Sequence, residues 1–115
     1  MTLKLQKINT FKARVAVALL TSDPDRSQEA SFVAEFKHLS TEEFQGLMNA
    51  GKTDAQFLDE VLVGVEEVAG ASGESVAFED AKRAIQNDLN YCAAAVRTFI
   101  EKLSGAAGKN SNRSR

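Results

Sequence analysis

His38 and Cys92 are the only histidine and the only cysteine in the chain, and a nucleophilic Cys–His pair is the first chemistry their types suggest. Such a pair needs an activated thiolate, whereas Cys92 falls on an apolar helical stripe, where a thiol behaves as a small hydrophobe. His38 stands at the end of a strand pattern, as an exposed or capping group. Four acidic pairs, Glu42-Glu43, Asp59-Glu60, Glu66-Glu67 and Glu79-Asp80, have the composition of acid/base dyads or metal ligands. Each falls in a helix first turn or on a water-facing side, where acids complement the helix dipole or stay solvated. Gly70-Ala-Ser-Gly73 lacks the glycine spacing and the following Lys-Ser/Thr of a phosphate-binding loop, so it reads as a turn. No catalytic residue, cofactor site or metal site emerges from these groups.

A chain of 115 residues is one ordinary domain, long enough to bury about two-thirds of the surface that its unfolded form exposes. Its 43% hydrophobic and 26% charged residues are those of a globular protein and exclude wholesale disorder or a disulfide scaffold. A single cysteine suits a reducing cytoplasm. No apolar run reaches the length of a secretory h-region or a membrane span, so neither secretion nor a membrane is predicted. Residues 1–103 carry eleven basic against sixteen acidic side chains, while Lys109, Arg113 and Arg115 make the tail basic. An acidic body repels phosphate backbones, and three tail cations without a stacking aromatic make a poor nucleic-acid site.

The elements that would position a site follow from periodicity. Phe11, Ala13, Val15, Val17 and Leu19 alternate with Lys12 and Arg14, predicting a strand over 10–20. Thr21 to Glu29 is a loop by composition, turned by Pro24. Phe32, Ala34 and Phe36 alternate with Glu35 and Lys37, predicting a second strand over 30–39, antiparallel to the first, with Leu3, Leu5 and Ile8 extending the sheet. At Ser40 the period changes. Ser40-Thr-Glu-Glu43 and Thr53-Asp-Ala-Gln56 are capping boxes that open helices over 41–50 and 54–68. The second has an apolar stripe of Phe57, Leu58, Val61, Leu62, Val65 and Val68, and Gly64 within it costs about 1 kcal/mol relative to alanine. A third helix spans 79–88. The last spans 91–104 with Asn90 as its N-cap and Cys92, Ala95, Val96, Phe99, Ile100 and Leu103 inward. The fold class is α+β: an N-terminal antiparallel hairpin or small sheet followed by about four helices. Residues 1–104 form the domain and 105–115 a flexible basic tail.

Several of these segments, taken in order, resemble the tail assembly chaperones of long-tailed bacteriophages and prophages, the frameshifted chaperone group of lambda-like siphophages. Ser31-Phe-Val-Ala-Glu-Phe-Lys-His-Leu-Ser40 is similar to the family's second strand, and Thr41-Glu-Glu-Phe44 to the opening of its first helix. Phe57-Leu-Asp-Glu-Val-Leu-Val-Gly64 resembles its most recognisable segment, followed by Gly73-Glu74, Val76-Ala-Phe78 and Ala93-Ala-Ala-Val-Arg-Thr-Phe-Ile100. The resemblance covers about 80 of the 115 residues. Two departures are Val65, where relatives often carry Trp, and the lack of a proline before the last helix.

The resemblance implies a non-enzymatic assembly factor of the host bacterial cytoplasm, absent from the mature virion. Its partners would be the tape measure protein, which it keeps soluble, and the tail tube protein, recruited through a longer −1 frameshift product. Gly108, Lys109 and Asn110 can be encoded by codons compatible with a slippery heptamer. Several copies along one client imply a homo-oligomer, with no nucleic acid, membrane or cofactor. Phe57, Val61, Val65 and Phe99 are the candidate partner-binding residues, and the competing reading of each is a place in the core. The alternative function is a small structural tail or head-tail connector component of the virion.

Overall fold

The computed structural model describes residues 2–3, 5, 8–26, 28–70 and 72–105. Two ten-residue strands, β1 (Thr10–Leu19) and β2 (Gln28–Lys37), pair antiparallel in unbroken register from Thr10 opposite Lys37 to Leu19 opposite Gln28. In their connection Pro24 follows Asp23, and the Arg26 amide donates to the Asp23 carbonyl at 3.1 Å, closing a turn that proline's fixed φ favours. Helices α1 (Thr41–Asn49) and α2 (Asp54–Val61) come next. A third strand, β3 (Leu62–Glu66), then joins β2, giving an antiparallel sheet of order β1-β2-β3, before α3 (Phe78–Asn87) and α4 (Leu89–Ser104). The α+β layout expected from the sequence is present.

Both capping boxes form: Ser40 accepts from the Glu43 amide and Thr53 from the Gln56 amide, and each partner side chain returns the bond. Gly51, at φ +70°, supplies the left-handed residue that ends the first of these helices.

The expected helix over 54–68 is divided at Val61. Its second half holds the β-branched Val63 and Val65 around Gly64, a poor helix sequence, and the edge of β2 offers it a ladder of backbone partners. Gly64 sits under the Glu35 side chain, and a Cβ there would lie 3.1 Å from its carboxylate. Val63 is the extra residue of a bulge between the Glu35 and Phe36 pairings. The stripe stays largely inward, because Phe57, Leu58, Val61 and Leu62 are all buried. Asp88 rather than Asn90 caps α4, accepting from the Tyr91 amide at 3.0 Å. The described residues before Thr10 form no strand, and Leu3 and Leu5 are exposed.

The core lies between one sheet face and the helices. Ala13, Val15 and Val17 of β1 and Phe32, Ala34 and Phe36 of β2 point into it, each at most 7% exposed. At its centre the Phe99 ring of α4 meets Phe36 at 5.2 Å, Phe57 at 5.3 Å and Phe11 at 5.7 Å between centroids, the spacing of favourable aromatic contacts. The opposite sheet face is open to solvent and charged. There Lys12 pairs with Glu66, and Arg14 donates to both oxygens of Glu67 at 3.0 Å.

The register also fixes the free edge of β1. The His38 amide donates to the Asn9 carbonyl, so odd residues of β1 bond to β2 and even residues turn their backbone groups outward. One of those outward groups, the Ala18 carbonyl, accepts from the Asn90 side-chain amide. The start of α4 is thereby tied to the end of β1.

Candidate functional site

The structure separates the residues whose chemistry stood out in the sequence. Cys92 is buried in the first turn of α4, and desolvation followed by the nearby Asp54 carboxylate pushes its thiol above the usual range. His38 lies beside the other end of that helix, lining a groove with Ile100, Leu103 and Ser104. Cys92 and Ile100 are about 12 Å apart along the helix axis. A thiol harder to ionise and remote from the imidazole is no nucleophile pair.

At least one acid of each pair is occupied structurally. Glu43 belongs to the first capping box, and the Ser40 backbone N–H holds its carboxyl below the ordinary range. Asp59 pairs with Lys82 and Asp80 with Arg83. Glu66 and Glu67 belong to the sheet surface rather than to a helix, and the Arg14 guanidinium lowers the Glu67 carboxyl, first by hydrogen bonding and then by charge. Among the described residues no group of three or more His, Cys, Asp and Glu side chains is placed to hold a metal ion. No helix of the described residues is long and apolar enough to cross a membrane.

Of the candidate partner-binding residues, Phe57, Val61 and Phe99 are core residues, at most 2% exposed, and present no surface to a partner. The cause is the geometry of the stripe: apolar residues at helical spacing face the sheet that supplies their burial. Val65, on β3, is half-buried against the core. Gly108, Lys109 and Asn110 lie outside the described residues.

Accessible apolar surface gathers instead at the two ends of the layer made by α4 and the sheet. At the hairpin end, a depression of about 220 Å³ is lined by Val17, Leu19, Phe32, Val68, Ile85 and Tyr91. Leu20, just after β1, and Leu89, the first residue of α4, have 93% and 84% of their surface in water, and between their neighbours the Asn90 side chain donates to the Ala18 carbonyl. Burying one such leucine in a partner is worth roughly 1.5–3 kcal/mol. At the other end a groove of about 390 Å³ runs between α1 and the last turn of α4, with Leu39, Phe44, Ile100 and Leu103 in its wall. A second depression shares His38 and Ser40 with it and adds Ile8, Glu42 and Glu43.

No family model, curated protein or solved structure matches this chain. What the molecule can do is therefore read from its surfaces, which suit the binding of apolar side chains at two separate places. Sequence reasoning missed these positions. Leu20, directly before the Thr21-Ser-Asp-Pro loop, and Leu89, between the cap Asp88 and Asn90, lie where no periodic pattern requires an apolar residue, and that misfit was the available signal.

Proposed function

We propose that this protein is a tail assembly chaperone of a long-tailed phage or prophage, a non-enzymatic binder that keeps the helical tape measure protein soluble until tube subunits surround it. The observation that carries the reading is the order and spacing of the segments 31–40, 57–64, 73–78 and 93–100, which resemble that family in sequence. The chemistry of the surface agrees with it. A long amphipathic client aggregates through its apolar face, and Leu20 and Leu89 beside the hairpin-end depression offer a small apolar patch on an acidic body. The like charge of the bodies then keeps coated complexes apart.

The test is co-expression with the helical coding sequence downstream of the gene. Wild-type protein is expected to move the client from the pellet to the soluble fraction. The Leu20→Asp/Leu89→Asp variant is expected to lose that effect while keeping the wild-type circular dichroism and melting curve, since both side chains are exposed. A client that stays insoluble with the wild type, together with this protein in purified particles, would establish the structural tail or head-tail connector component instead.

A further inference from the structure

The groove between α1 and α4 has a chemically matched ligand in the same sequence. Residues 2–8 carry Leu3, Leu5 and Ile8 together with Lys4 and Lys7, and no acid. Leu3 and Leu5 are 82% and 92% exposed, among the most exposed large apolar side chains of the described chain. The segment enters β1 beside the groove, where the Asn9 carbonyl accepts from His38, yet its own two leucines are left in water. The groove offers Phe44, Ile100 and Leu103 as apolar wall, and the adjoining depression carries Glu42 and Glu43 against Lys37. The arm is thus cationic in sequence with leucines at positions 3 and 5, and the groove is an apolar slot beside a depression that carries Glu42 and Glu43, on a chain whose body is acidic overall and so attracts a cationic segment.

We infer that the amino-terminal arm, residues 2–8, of one copy seats Leu3 and Leu5 in the α1–α4 groove of a second copy. Leu3 and Leu5 of the donor and the groove of the acceptor are different surfaces, so the contact is head-to-tail: each bound copy still offers one arm and one groove, and copies add into a ring or an open row. This contact does not involve the hairpin-end leucines and stands or falls without the client.

Sedimentation velocity on the purified full chain tests it. Wild-type protein is expected to shift from monomer to larger species with rising concentration. An arm variant, Leu3→Asp/Leu5→Asp, and a groove variant, Ile100→Asp, should each weaken self-association at least about tenfold, the effect of removing one buried leucine-sized contact. The arm residues are exposed in the monomer, so dichroism and melting of the arm variant should match the wild type, while Ile100, 36% exposed, should keep the wild-type dichroism with a lowered melting temperature when replaced. The decisive measurement is the equimolar mixture: the arm variant retains a groove, the groove variant retains an arm, and together they should form a one-to-one dimer that neither forms alone. A wild type that stays monomeric, an arm variant that associates like the wild type, or a mixture that remains monomeric would each overturn the inference.

Discussion

Helices α1 and α4 are both amphipathic, and the strength of their local signals runs opposite to the strength of their packing. The start of α1 has a complete capping box and two acids in its first turn, yet none of its residues is fully buried. The start of α4 has one side-chain cap and no first-turn acid, and it buries Cys92, Ala94, Ala95 and Phe99. Capping determines where a helix begins; covering its face is a property of the rest of the chain. The lesson bears on function, because the half-covered Phe44 of α1 forms part of the wall of the groove between α1 and α4.

The largest expected effect lies on the packed side of this comparison. Phe99→Ala removes a ring in contact with Phe11, Phe36 and Phe57, and should cost about 3–5 kcal/mol, read as a lower denaturant midpoint with little change in slope. A loss under about 1.5 kcal/mol would mean that the cluster collapses around the gap, and that α4 is held mainly by its alanines. On the locally specified side, Ser40→Ala removes the acceptor of the Glu43 amide and should cost about 1 kcal/mol. Hydrogen exchange separates the two cases. The α1 amides should exchange faster through local opening, while those of α4 keep their protection; equal acceleration in both helices would show that α1 opens only with the core.

The same contrast explains what could be read from the sequence. The two long strands were legible because Phe11 to Leu19 and Phe32 to Phe36 alternate cleanly, and the first two helix starts because each carries both halves of a box. Strand β3 was not. Its Leu62 and Val65 satisfy the helical repeat begun at Phe57, and only the free edge of β2, a tertiary feature, decides for pairing over continuation. The partner-binding candidates were ambiguous for a related reason. An apolar stripe looks identical whether it meets the protein's own sheet or another molecule, and here the sheet takes Phe57, Val61 and Phe99. The exposed Leu20 and Leu89 belong to no stripe, so periodicity passed over them.

The smallest effect concerns the charged sheet face, and its sign can be worked out. Glu67 sits at φ +64°, an uncommon conformation for a residue with a Cβ, and is anchored there by two hydrogen bonds from Arg14. That anchoring holds its folded pKa below the ordinary 4.5. A carboxyl depressed in the folded state contributes stability above its unfolded pKa and loses it as pH falls through the folded value. Wild-type stability should therefore decline as pH falls below the ordinary 4.5 partly through Glu67, and Glu67→Gln should flatten that acid limb while changing neutral stability little, because the pair is more than half exposed and screened by solvent. Glu43 is depressed by the Ser40 amide in the same direction, but its bond lies within α1. Acid should then act on the two regions differently. Protonating Glu43 should loosen α1 locally, whereas protonating Glu67 weakens the link from β1 to the end of β3 and should appear in the global unfolding curve. Chemical denaturation of Glu43→Gln and Glu67→Gln across this window reads the difference directly. If both variants flatten the global curve equally, α1 belongs to the same cooperative unit as the sheet, and the contrast between a locally specified helix and a packed one fails for this protein.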